Sequence, residues 1–377
     1  MTKAPVTFIH SADWQLGMTR SSYLSDEAKA RFTSDRVRTI RTIGELADKE
    51  GAQFIVVAGD VFESANLSSR DIWRAFDAMS EVKVPIFLLP GNHDHLGPGS
   101  IWTSRDTEKA KPDNVTILDR EGSFEAAPGV EIIAAPWYTK HPGRDPVTGV
   151  LGTLAPTEKT RILVAHGMLD IIDPDRESET RVDTAKLRTA VRDGLIDYAA
   201  LGDRHICWVD EETGAINYSG THETTSARET TRGTVLSVTI GEEGAKAVPH
   251  EVGTWLHHGI KRHVSTMADI ELLAADLAEI TQKDCAIVRT ELTGTLSMSA
   301  GAALDQLMED QQQIFAALYA WDRHTDIVII PDDHDEDALG LSGFAADAMA
   351  ELRGLAEDGD ATASDALKLL YRLGGTR

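Results

Sequence analysis

Five times between residues 6 and 205 the chain runs through a short apolar stretch and ends it on a side chain able to bind a metal. "TFIHSAD" ends on Asp13, with Gln15 two residues later, and "FIVVAGD" ends on Asp60. "VPIFLLPGNH" ends on Asn92 and His93, "RILVAH" on His166, and "YAALGDRH" on Asp203 and His205. Short apolar runs bounded by turn formers read as buried strands. Ligands of open α/β sheets collect at the carboxyl ends of strands. Five strand ends far apart in sequence are therefore expected to converge in space, and the fold must lay those strands side by side.

Helical patterns separate the runs. In "TSDRVRTIRTIGELADKEG" Val37, Ile40, Ile43 and Ala47 share one face, and Gly51 supplies a stop. In "SSRDIWRAFDAMSEV" Ile72, Trp73, Phe76 and Met79 repeat at helical spacing, enough apolar bulk for core burial. The strands "VEIIAAPW", "INYSG" and "TVLSVTIG" complete the pattern. Strands alternating with helices, then strands in succession, imply an α/β sandwich of two mixed β-sheets flanked by helices. Around "VGTWLHHGIKRHVS" the pattern breaks. A helix ("MADIELLAADLAEIT"), a strand ("CAIVRTELTG"), a helix ("GAALDQLMEDQQQIFAAL") and a strand ("TDIVIIPDD") then imply a separate, smaller α/β domain. The expected division is 1–255, 256–335, and a helical segment 336–377. The acidic "PDDHDEDALG" leads into that segment, whose last helical pattern is "ASDALKLLYRL".

Lys and Arg number 37 against 61 Asp and Glu, a net charge of −24. This is the wrong sign for a chain that holds nucleic acid by bulk electrostatics. A nucleic-acid enzyme of this charge needs a local basic groove, a divalent metal or a basic partner. The two cysteines, Cys207 and Cys285, cannot build a disulfide framework and fit a reducing cytoplasm. No apolar run has the length of a membrane span, and the N-terminus has no cationic and apolar leader. A cytoplasmic protein is expected.

Taken singly, the polar clusters are ordinary. "AGD" and "PGN" are turn chemistry, His166 alone would pass for a core histidine, and "GDRH" for a cap. Jointly they offer Asp, Asn, Gln and His donors suited to Mn²⁺, Fe²⁺, Zn²⁺ or Mg²⁺. Their order, D-x-(H), GD, GNHD, AHG and G-(H)-x-H, resembles that of the calcineurin-like metallophosphoesterases. "IHSADWQLG", "AGDVFES", "LPGNHD" and "YSGT" are most similar to the SbcD-type DNA-repair exonucleases, with the resemblance running over essentially the whole chain.

The resemblance implies a metallophosphoesterase sandwich followed by a capping domain. It implies one metal held by Asp13, the residue at 15, Asp60 and His205. A second would be held by Asp60, Asn92, His166 and the residue at 203, with Asp60 bridging. Two metals close together clamp a phosphate and stabilise the charge of an in-line displacement. His93 is then the general acid. Asp94 is a candidate to orient it or to hold the turn, and Tyr218, Ser219 and Thr221 are candidates to contact phosphate or to make a turn. Glu63 reads as an exposed turn carboxylate that could line a substrate groove, Trp137 as packing and Cys207 as inert.

Two positions depart from the family pattern, which has His where this chain has Gln15 and Asp203. Both replacements offer hard oxygens, so the expected cofactor is a pair of Mn²⁺ ions, with Mg²⁺, Fe²⁺ or Zn²⁺ as alternatives. A site that keeps one tight metal and a degenerate site are the competing explanations. His10 is a possible substitute ligand, with packing the expected role. The implied function is a metal-dependent phosphodiesterase, a DNA exo/endonuclease subunit of DNA repair, with an SbcC-like ATPase and a second copy of the chain as partners. The alternatives are a phosphodiesterase or phosphatase for a small nucleotide-like substrate, and a catalytically weakened regulatory subunit of such an ATPase.

Overall fold

The computed structural model describes residues 4–19, 23–175, 177–329 and 343–357, with isolated positions between 360 and 369. The acidic run at 331–340 lies outside the described residues, as does most of the last expected helix, 363–373. The chain divides into two compact units, Met1–Ser21 with Lys29–Leu256, and Ser22–Ala28 with His257–Arg377.

The first unit opens with β1 (Val6–Ser11), α1 (Asp26–Glu50, in this unit from Lys29 on), β2 (Ile55–Val57), α2 (Ser69–Ser80), β3 (Ile86–Leu88), α3 (Arg105–Ala110) and β4 (Val115–Ile117). It continues with β5 (Gly122–Ala127), β6 (Val130–Ala135), α4 (Pro146–Leu151), β7 (Thr160–His166), α5 (Thr184–Arg192), β8 (Tyr198–Gly202), β9 (Trp208–Val209) and β10 (Ile216–Tyr218). β11 (Thr234–Gly241) and β12 (Gly244–Glu251) close it. Two six-stranded sheets result, ordered β12-β11-β1-β2-β3-β4 and β5-β6-β7-β8-β10-β9. Both are mixed: β1 to β4 run parallel, as do β6, β7, β8 and β10, with antiparallel strands at the edges. This is the expected sandwich architecture.

Period-two alternation sorts the strand side chains. Phe8, Phe54, Val56, Phe87, Ile132, Val164, Tyr198 and Ala200 fill the space between the sheets. Ile9, Ile55 and Val57 turn the other way, against Ile40, Ile43, Ile72, Phe76 and Met79 of α1 and α2. The far face of the second sheet, with Leu163, Ala165 and Leu201, packs on Leu187 and Ala190 of α5. α1 stops where expected, at Gly51 with φ +65°. Trp73 departs from the expected helix face. It is 47% exposed, while Ile72, Ala75, Phe76 and Met79 carry the buried side of α2.

The second unit holds β13 (Leu256–His263), α6 (Met267–Glu279), β14 (Ala286–Leu296), α7 (Met298–Gln312), β15 (Ala317–Ala320) and β16 (Asp326–Ile329). A further helix spans Phe344–Glu357. The long β14 is the hub. β13 flanks it, while β15 pairs in parallel with its first half and β16 with its second. α6 starts on a capping box of Thr266 and Asp269. Its Leu273 and Leu277 meet Val288, Leu304, Phe315 and Leu318 in the core. Two segments differ from the sequence reading. The basic break at 256–263 is a strand. The expected helix ending at Leu318 stops at Gln312, because the residues beyond it are taken up by parallel pairing with β14. No helix among the described residues is long and apolar enough to cross a membrane.

Candidate metal centre

Parallel registers set the site. β1 and β2 pair Ile9 with Ile55, and the pairing continues into the loops: Asp13 N–H donates to the Gly59 carbonyl at 3.1 Å and Gln15 N–H to the Asp60 carbonyl at 2.9 Å. In the other sheet β7 and β8 pair His166 with Gly202, which sets Asp203 beside His166. The two edges then join, since both carboxylate oxygens of Asp13 accept the Asp203 N–H at 3.1 Å. Five non-glycine residues among those described have positive φ, and four are Asp13, Gln15, Asp60 and Asp203, at 52°, 42°, 51° and 92°. Strain of this kind persists where the surroundings over-determine it, commonly at functional sites.

Asp13, Asp60 and His166 form the tight centre, one ligand atom of each lying within 4.8 Å of the others, and all three are buried. On one side His166 Nε2 stands 2.8 Å from Asn92 Oδ1, 3.5 Å from Asp60 Oδ1 and 3.7 Å from Asp203 Oδ1. On the other, His205 Nε2 lies 3.9 Å from Asp13 Oδ1 and 3.3 Å from the Gln15 amide. All seven expected donors are thus brought together around a tight trio that draws Asp13 from one implied group and His166 from the other. His10 is elsewhere. It sits between the sheets with Nδ1 3.1 Å from the Tyr198 hydroxyl and Nε2 3.2 Å from the Leu201 carbonyl, and burial pushes its pKa down to about 3.

His93 stands at the partly open rim. Its backbone N–H donates to Asp60 Oδ1 at 2.9 Å, its Nδ1 donates to the Glu63 carbonyl at 2.9 Å, and its Nε2 lies 4.0 Å from Asp60 Oδ2. Glu63 is therefore buried beside His93 rather than an exposed turn residue, and its carbonyl makes the orienting contact, while Asp94 takes the turn-holding one of its two candidate roles. The Asp94 carboxylate accepts the Gly91 N–H at 2.7 Å and the Phe62 N–H at 3.0 Å, which ties the two donor loops together. Burial, with Asp60 close by, pushes that carboxyl up to about 7. Tyr218 and Ser219 are likewise buried, and both take the turn-bracing one of their two candidate roles. The Tyr218 hydroxyl donates to the Gly167 carbonyl and accepts the Leu169 N–H, bracing the loop after His166, and Ser219 Oγ donates to the Gly220 carbonyl. Thr221 does the same for Asp13, donating to its carbonyl at 2.7 Å. Trp137 adds an indole N–H to the His166 carbonyl.

Three residues behind the site were missed in the sequence. His205 Nδ1 contacts Thr225 Oγ1 at 2.7 Å and Glu229 Oε1 at 3.2 Å. Arg36 of α1, wholly buried, donates to the carbonyls of Trp14, Glu223 and Thr224, bracing the Asp13–Gln15 loop and the loop leading to Thr225 at once. Thr225 and Glu229 follow no apolar run and belong to no motif, so nothing in their local sequence marks them; the one local signal for Arg36 is its register with Ile40, Ile43 and Ala47 on the buried face of α1.

A divalent cation fits this donor set. Burial pushes the Asp13 carboxyl up to about 6, opposed by His205 and His166. Burial also opposes charge on Asp60, but His166 and His93 hold it below the usual carboxylate range. Burial opposes charge on His166 as well, yet Asp60, Asp203 and Asp13 keep its pKa well above the ordinary value. Three carboxylates, two amides and two imidazoles in a buried cleft form a hard oxygen and nitrogen set short of positive charge.

The family model for calcineurin-like phosphoesterases matches residues 6–226. The chain belongs to that family. This phosphoesterase is 32% identical over 118 residues to "Uncharacterized metallophosphoesterase YhaO" of Bacillus subtilis, a match covering 30% of the chain and 28% of that protein. It is 25% identical over 252 residues to the "DNA double-strand break repair protein Mre11" of Archaeoglobus fulgidus, covering 60% of the chain and 52% of that protein. The chain thus spans about half or less of the length of these relatives. Among solved structures, a dimetal phosphatase from Danio rerio superposes with a TM-score of 0.40 at 11% identity, over 66% of the chain and 99% of the other.

Proposed function

We propose that this phosphoesterase hydrolyses phosphodiester bonds of DNA as a repair nuclease, using two divalent ions, Mn²⁺ in the first place. One observation carries the reading: four further donors, Gln15, Asn92, Asp203 and His205, gather around Asp13, Asp60 and His166, with His93 at the rim. Asp13, Gln15, Asp60 and His205 would hold one ion, and Asp60, Asn92, His166 and Asp203 the other. Bound there, the ions supply Lewis-acid polarisation of the phosphate and neutralise developing charge. The protein's own part is positional and protonic. Because His93 Nδ1 donates to the Glu63 carbonyl, Nε2 is the atom that carries a proton to the leaving alkoxide. The buried donors hold their geometry through main-chain contacts and so need no rearrangement when substrate arrives.

DNA as substrate is supported by the similarity to the archaeal Mre11 and by the motif wording of the SbcD-type enzymes. A homodimer, an SbcC-like ATPase partner, a capping role for the second unit and a cytoplasmic location belong to the same proposal. The net charge of −24 favours a second reading, a small nucleotide-like phosphodiester. The test is hydrolysis of end-labelled single- and double-stranded DNA by metal-stripped protein after return of Mn²⁺, Mg²⁺ or Zn²⁺, beside His93→Ala. Metal-dependent cleavage that vanishes in His93→Ala supports the nuclease. Hydrolysis of cyclic or dinucleotide substrates with no cleavage of DNA selects the second reading, and turnover of neither leaves the regulatory role.

A further inference from the structure

The hydrogen-bond chain behind His205 runs in one direction only. Glu229 is 4% exposed, and as a carboxylate it accepts hydrogen bonds without donating any. Its Oε2 takes the Thr225 backbone N–H at 2.6 Å, and its Oε1 takes the Ser226 hydroxyl at 3.1 Å and the Thr225 hydroxyl at 2.6 Å. The Thr225 hydroxyl hydrogen is thereby committed to Glu229, which leaves Oγ1 only a lone pair for the His205 Nδ1 beside it at 2.7 Å. Nδ1 therefore carries the hydrogen, and Nε2 faces Asp13 and Gln15.

His205 is the one imidazole in the group Asp13, Gln15, Asp60 and His205. Gln15 can offer that group only an amide oxygen, a weak donor to a transition metal. We propose that Glu229, both directly at 3.2 Å from His205 Nδ1 and through Thr225, locks His205 with Nε2 toward the metal and makes it the strong donor that offsets the weak Gln15. Glu229 and Thr225 are positioning residues, and the inference rests on the metal-centre reading without depending on DNA as substrate. A carboxylate behind a metal-bound histidine fixes ring orientation and raises ligand basicity.

The test has two arms. Calorimetric titration of metal-stripped protein with Mn²⁺ should show Glu229→Gln weakening one of two sites by about 10- to 100-fold, with the other unchanged. In the metal-free protein, NMR of ¹⁵N-histidine-labelled material should show a protected His205 Nδ1–H that is lost in Glu229→Gln. Thr225→Val, which leaves only the 3.2 Å contact of Nδ1 with Glu229, should weaken both signatures and Thr225→Ser should keep both, and this pair decides the matter if Glu229→Gln does not fold. Wild-type protein that binds two ions, with Glu229→Gln or Thr225→Val binding both as tightly, overturns this role alone. Wild-type protein that binds no metal overturns the metal centre along with it.

Discussion

The two halves of the metal centre are built from different materials. His166 is 0% exposed and is fixed by the main chain: its Nδ1 donates to the Ala58 carbonyl at 2.9 Å, and a methyl group on either neighbouring glycine would collide with its surroundings. A Cβ at Gly59 would lie 2.2 Å from His166 Nδ1, and one at Gly202 would lie 1.8 Å from the Ala58 oxygen. His205 is a quarter exposed and is fixed by the side chains of Thr225 and Glu229. Backbone anchoring leaves little freedom for substitution, because moving the ring means moving the sheets. Side-chain anchoring can be retuned one residue at a time. Both departures from the family pattern, Gln15 and Asp203, lie on loops in strained backbone, where a ligand can change without disturbing a strand.

The largest test of this contrast concerns the residue between the halves. His93→Ala should lower turnover by about 10²- to 10⁴-fold while metal affinity, read by calorimetry, stays near the wild-type value. An equal loss of both would make His93 a ligand and redraw the two halves. Next in size, Gly202→Ala should cost about 3 kcal/mol or more in urea unfolding and weaken the ion beside His166, because the backbone there has no room to yield. A neutral result would remove the claim that this half is locked by packing.

His10 supplies an imidazole of the opposite kind, buried between the sheets. Its pKa is pushed from 6.5 down to about 3, so the folded chain keeps it neutral while the unfolded chain takes up a proton. The stability it contributes is present above pH 6.5 and is lost as pH falls toward 3. Unfolding free energy should therefore drop with acid by up to about 1.4 kcal/mol per pH unit from this position. His10→Gln should flatten the profile by that amount; an unchanged profile would mean that His10 is protonated in the fold. Of similar or smaller size, Gln15→His should tighten transition-metal binding in the His205 half by about tenfold and leave the other half alone. Unchanged affinity would put position 15 outside the metal's reach.

The donors were legible because each sits where a local pattern ends. An apolar run followed by Asp, Asn or His needs no tertiary knowledge to be noticed, and five of them in one chain have no ordinary turn explanation. The supporting residues carry no such mark. Glu229 lies in "TSARET", a polar loop in which any of several side chains could reach inward, and Arg36 shares the helical register of Ile40, Ile43 and Ala47 but is a charged residue on that apolar face. Trp73 was misplaced for the converse reason. Helical spacing identifies neighbours along a face, but the width of the buried stripe depends on what packs against it, and here Trp73 reaches Asp106 at the surface.

The sequence by itself determined the strands that carry the site, the alternation that makes a sandwich, and the identities of the chemical groups at the strand ends, because periodicity and residue type are local properties. Only the tertiary structure decided which group faces which. It turned Asp94 toward the main chain of Gly91 and Phe62, gave the orientation of His93 to Glu63, buried Tyr218 behind His166, and set Glu229 behind His205. The physical reason is reach. Strand register fixes where a backbone ends to within a residue, whereas a hydrogen bond is made or lost within an ångström, and that last distance is set by the packing of two sheets against each other.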